Sequence, residues 1–166
     1  MHEAYKSLEI VLEDEIKVYR ALLDLVRREK EVLISAKIDE LNENNKSKEA
    51  MVLKIRALER VREKAARDLA AAVGASTESP RLLEIASKVV DPYNSKLRSI
   101  HSTLDLLIRR IKEINENNEA LIQSSLKMVN GALGAIKDTL QPRSTYAQSG
   151  EVKKNEVAGH FVSKEV

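Results

Sequence analysis

From Leu97 to Ala132 one row of side chains returns every third or fourth residue without a break: Leu97, Ile100, Leu104, Leu107, Ile111, Ile114, Asn118, Leu121, Ser125, Met128 and Ala132. Only Asn118 and Ser125 in that row are polar. Strand side chains alternate with a period of two, so a spacing of three and four kept over about ten turns can belong only to an α-helix. Asp91-Pro92 is a start signal, because Asp caps and Pro suits the first helical position. Pro142 is a stop. The spacing therefore predicts a single helix over 92–140, roughly 74 Å long, that runs through Asn115, Asn117 and Asn118. A helix of that length needs partners along it, and the rest of the chain must supply them.

Two further stretches can. Residues 2–41 carry Leu8, Leu12, Tyr19, Leu22, Val26, Leu33 and Ala36 at the same spacing, with Glu15 and Glu29 as polar intrusions. Val11, Val18, Leu25 and Val32 lie beside that row, giving a face wide enough to touch two neighbours. Asn42-Glu43-Asn44-Asn45 is the expected first turn, since Asn tolerates left-handed backbone and caps helices. Met51, Ile55, Leu58, Ala65, Leu69 and Val73 form the next row, flanked by Val52 and Val61 and closed by Gly74. Ser79-Pro80 opens a short helix ending near Val90. With only five Gly, three Pro and 3% aromatic residues, the composition suits long helices and no sheet architecture. The expected fold is all-α: an antiparallel bundle of three long helices whose middle helix is interrupted at 74–79. A helix over 45–73 covers roughly 43 Å, and the short helix would make up its shortfall. The alternative is a four-helix bundle with the short helix as an independent element. The bundle domain is expected over 1–141 and a flexible partner-binding tail over 142–166, where no periodicity survives.

Several chemistries have no residues to carry them. There is no Cys, hence no disulfide framework, zinc ribbon or thiol nucleophile. No apolar run approaches the ~20 residues that span a bilayer, and the N-terminus has no signal-peptide pattern. The expected location is the cytoplasm, with no stable membrane insertion. Net charge is +2, and the basic clusters (Arg27, Arg28, Lys30; Arg60, Arg62, Lys64, Arg67; Arg109, Arg110, Lys112) alternate with acids, as on a solvated face and unlike a nucleic-acid footprint. His2, His101 and His160 are scattered outside any Glu-x-x-His pair, so neither a metal nor a cofactor is expected. His101 with Asp105 reads as a surface pair. Gly131 and Gly134 sit mid-helix, where close helix packing suits them better than a phosphate loop. Glu15 and Glu29 are roughly 21 Å apart along a helix and cannot share a substrate. No nucleophile, base and orienting group assemble; the chain is not expected to be an enzyme.

One region departs from the pattern. Residues 119–140 hold four charged side chains (Glu119, Lys127, Lys137, Asp138), against eight over 93–116. Leu121, Met128 and Ala135 continue the bundle row. Ile122, Leu126, Val129, Leu133, Ile136 and Leu140 form a second row. Either the helix is sandwiched on two sides within the bundle, or the second row is an open face for a partner helix or the chain's own tail.

Four pieces in order resemble the FlgN flagellar export chaperones: Glu15, Tyr19, Leu22, Leu23, Leu25 and Glu29 in the first helix; Lys54-Ile55 with Leu58-Glu59 and Arg62; Asn115, Asn118, Leu121-Ile122 and Ser125-Leu126; and Thr145-Tyr146 with Gly150. The resemblance runs over residues 5–150. It implies an all-helical cytosolic chaperone that binds the C-terminal helical segments of the hook–filament junction (hook-associated) proteins, prevents premature assembly and delivers them to the export gate without using nucleotide itself. It further implies cargo binding along the Ile122–Leu140 row, with Val157, Phe161 and Val162 of the tail as added contacts. Tyr146 would dock on the cytosolic domain of the export gate. Two other readings fit the same composition: a structural coiled-coil adaptor that spends its rows on self-association, such as a homodimer, and a chaperone for a different secretion cargo.

Overall fold

A computed structural model describes residues 1–140. Four helices follow one another: α1 (His2–Ser35), α2 (Ile38–Val73), α3 (Leu82–Lys88) and α4 (Tyr93–Leu140). By backbone contacts the chain divides into two units, Met1–Ile122 and Gln123–Val166.

In the first unit the ion pairs and hydrogen bonds define how the long helices run. Glu29 meets Lys48 at 2.8 Å and Glu15 lies 3.6 Å from Arg62, so α1 and α2 are antiparallel. His2 pairs with Tyr93 and Val26 with Asn118, at sequence separations of 91 and 92, so α1 and α4 are parallel. The antiparallel bundle of three long helices is therefore present. The heptad rows are what close it. On α4 the buried side chains are Leu97, Ile100, Leu104, Leu107, Ile111, Ile114 and Asn118, every one on the expected row.

Two apolar clusters fill the interior. The first joins Leu8 and Leu12 of α1, Leu69 of α2, Ile85 of α3 and Leu97 of α4, all with no more than 1% of their surface exposed. The second joins Leu22, Leu23 and Val26 to Leu107, Ile111 and Ile114. Complete burial of one such side chain is worth roughly 1.5–3 kcal/mol, so these few residues dominate the folding energy. Beyond the second cluster a polar layer completes the interior. Asn44 Nδ2 donates to the Leu25 carbonyl, Asn118 Nδ2 to the Val26 carbonyl at 3.0 Å and to Glu29 at 2.9 Å, and Lys48 Nζ to both Glu29 oxygens.

The first turn lies six residues before the expected Asn42–Asn45. It falls at Ala36 and Lys37, where the Ala36 N–H donates to Leu33 and the Lys37 N–H to Val32, the two bonds of a Schellman cap. Ala36 takes left-handed backbone (φ 54°, ψ 33°) without being Gly or Asn, which is why the turn leaves no trace in residue types. Asn44 is thereby a buried clamp inside α2, not a turn residue. The earlier start makes α2 36 residues, roughly 54 Å and a match for α1, so the middle helix needs no supplement. Accordingly α3 does not prolong α2. Its Ile85 and Ala86 are buried among residues of all three long helices, and it packs as an independent fourth element. It starts at Leu82, two residues beyond Pro80, with Arg81 in the cap position. At the other boundaries the residue types predict well: Gly74 ends α2 in left-handed backbone (φ 70°), and Asp91 Oδ1 accepts from the Ser95 N–H at 3.1 Å in the first turn of α4.

Candidate partner-binding site

Helix α4 is continuous through Asn115–Asn118 to Leu140. Its last buried residue is Asn118. From there the expected continuation of the bundle row fails. Met128 is 74% exposed, and Ala135 is exposed as well. Gly131 and Gly134 have no atom within 4 Å of where a Cβ would stand, so among the described residues no helix packs closely on them.

The second row carries the same feature further. Ile122, Leu126, Val129, Leu133, Ile136 and Leu140 are all exposed, from 38% at Ile122 to 76% at Leu140. Their spacing of three and four places them along one side of the helix. Each isoleucine or leucine kept in water forgoes the gain that burial brings to its counterparts in the bundle. An exposed apolar row on one side of a helix is the pattern of a surface that can bury itself against another helix. Tyr146, Val157, Phe161 and Val162 lie outside the described residues.

A second feature, a groove of about 690 Å³, sits within the Met1–Ile122 unit. It is bordered by Leu12, Tyr19, Ile55, Leu82, Leu104 and Ile108, with Glu15 at its floor. Sequence reasoning placed Glu15 in the apolar row without finding its partners. They come from α2: Arg62 donates through Nε to Glu59 at 3.1 Å and approaches Glu15 Oε1 at 3.6 Å. Glu15 is 2% exposed, and its Oε1 receives no hydrogen bond. Burial pushes the Glu15 carboxyl up to about 7; the Arg62 charge opposes this and Glu59 reinforces it. Glu59 moves the other way, held down by its hydrogen bond from Arg62. Glu29, by contrast, is fully engaged by Lys48 and Asn118, so the two intruding carboxylates of α1 have separate partners as well as separate positions. On the groove's α4 side Asp105 binds Arg109 (3.1 and 3.0 Å) in place of the expected His101.

Among the described residues no group of carboxylates and histidines is placed to hold a metal, and no helix is long and apolar enough to cross a membrane. No curated protein and no solved structure matches the chain. A family model does: the one described as FlgN protein matches residues 1–154, which takes in the whole bundle, the exposed row of α4 and Tyr146. FlgN proteins are flagellar export chaperones that bind hook-associated proteins, a family of binders and not of enzymes. A helical bundle whose longest helix ends in an uncovered apolar row is a fitting body for that work, and over this match the chain belongs to the FlgN family of flagellar export chaperones.

Proposed function

We propose that this chaperone works in the cytoplasm, where it binds the C-terminal helical segments of hook-associated proteins along Ile122, Leu126, Val129, Leu133, Ile136 and Leu140. The observation that carries this reading is the exposure of all six side chains on one helix. Covering an apolar face of such a segment with a matching row would keep that face from pairing with other copies. Delivery to the export gate then requires a second contact that leaves the cargo row occupied, and Tyr146, four residues past Pro142 in the sequence, is the residue for it. A buried tyrosine dominates a small transient interface.

The test is co-purification of the full chain with tagged C-terminal segments of candidate hook-associated proteins, alongside the double variant Leu126→Asp/Leu133→Asp. The wild-type chain retains the segment, and the double variant loses it at unchanged helicity. Retention by the variant overturns the assignment of the row. A variant that alters the mass of the free chain by light scattering, without affecting capture, makes the row a self-association face.

A further inference from the structure

The groove over Glu15 is unused by this reading, and three of its features describe what would fill it. The first is its shape: α3, a helix, borders it through Leu82 and fills the neighbouring space with Ile85 and Ala86, so the groove continues the bed of a helix already present. The second is charge. Arg56 and Arg60 stand one turn apart on the α2 rim, both exposed, and neither has an ion pair among the described residues, whereas Arg62, Arg67, Arg109 and Arg110 all do. The third is the floor, where Glu15 Oε1 is buried without a hydrogen bond beside the apolar Leu12 and Leu104. An occupant that donates a hydrogen bond there meets an oxygen whose cationic neighbour, Arg62, stays 3.6 Å away.

We propose that this groove docks an acidic amphipathic helix of a partner protein, with its apolar side on Leu104 and Ile108, its carboxylates on Arg56 and Arg60, and one amide or hydroxyl side chain on Glu15. An amide or hydroxyl both donates and accepts, so it meets the carboxyl in either protonation state. The chain's own 141–166 segment does not fit. It carries Arg143, Lys153, Lys154 and Lys164 against Glu151, Glu156 and Glu165 and is not acidic. The site lies within the Met1–Ile122 unit and uses none of the exposed α4 row beyond it.

The experiment titrates the full chain into a fluorescent 18-residue helical peptide, read by anisotropy. The peptide has leucines on one side, glutamates on the other and a single asparagine in the leucine row. A second peptide has lysine for every glutamate. The glutamate peptide binds, and the lysine peptide binds at least tenfold more weakly. Arg56→Glu/Arg60→Glu reverses that order, and Ile108→Asp, at a side chain already 46% exposed, removes binding at unchanged helicity. Failure of the glutamate peptide to bind, equal binding of both, or an unchanged order in the reversed variant overturns the proposal. Weakening by Leu126→Asp/Leu133→Asp also overturns it, by placing the peptide on the α4 row. A change in the free chain's mass in Arg56→Glu/Arg60→Glu overturns it in favour of a second copy as occupant.

Discussion

Replacing Glu15 by Gln keeps the size of the side chain while removing the ionisation. In the folded chain the carboxyl titrates at about 7 against an ordinary 4.5, first because burial strips its water and only then because of its neighbours. Since one pH unit is 1.36 kcal/mol, ionising Glu15 inside the bundle costs about 3 kcal/mol relative to the unfolded chain. The sign follows from the protons. Between about pH 4.5 and 7 the folded chain keeps a proton that the unfolded chain has released, so stability falls as pH rises through that window and levels off above it. Glu59, whose folded value is lowered, contributes stability that is lost only as pH falls below the ordinary carboxylate value, so it does not disturb the window. Urea midpoints measured from about pH 5 to 8 should therefore decline for the wild type and stay nearly level for Glu15→Gln, leaving the variant about 2–3 kcal/mol more stable at the upper end. Parallel pH profiles, or a variant less stable than wild type at about pH 8, refute the reasoning, because either result means that the buried carboxylate is adequately paired by Arg62.

Other expectations follow from single positions. Ala36→Gly relieves a left-handed alanine in the α1–α2 turn and should raise stability by about 0.5–1 kcal/mol, read by thermal unfolding. Gly131→Ala with Gly134→Ala meets open space and should stabilise the end of α4 by about 0.5–1 kcal/mol per site, seen as slower amide exchange there. Leu126→Asp/Leu133→Asp should shift global stability by less than about 0.5 kcal/mol per site, because both side chains are already exposed. Tyr146→Ala should leave cargo capture intact but weaken binding to the cytosolic domain of the export gate by about 1–3 kcal/mol, measured by titration with the cargo-loaded chaperone.

The parts of the fold that were legible in the sequence are those in which residue type and geometry coincide. The row from Leu97 to Asn118 is buried position by position, and Gly74 and Asp91 mark the ends they should mark. The α1–α2 turn was not legible, because Ala36 adopts a backbone that its side chain does not advertise, while Asn44 carries the look of a turn residue and is spent on the Leu25 carbonyl. Hydropathy also cannot say where a row stops being buried. Ile114 and Met128 belong to one row and are equally apolar in kind, yet only the first is buried. Neither the Glu15–Glu59–Arg62 group nor the groove above it could be derived from spacing, because the first joins residues more than forty positions apart on two helices and the second draws on all four. The signal that was available is an acidic residue in an apolar row, which demands a partner from elsewhere in the fold.

The polar members of the rows give the bundle its specificity. A wholly apolar three-helix seam tolerates sliding by a heptad, since leucine meets leucine in either register. Here sliding α4 along α1 would pull Asn118 from both Val26 and Glu29, and sliding α2 would pull Asn44 from Leu25 and Lys48 from Glu29. Each break strands a buried polar group at roughly 1–3 kcal/mol. The same layer holds the last buried residue of α4, Asn118. α4 has 48 residues to α1's 34, and beyond Asn118 its second apolar row is exposed. Asn118→Leu would therefore keep the helices but loosen their register.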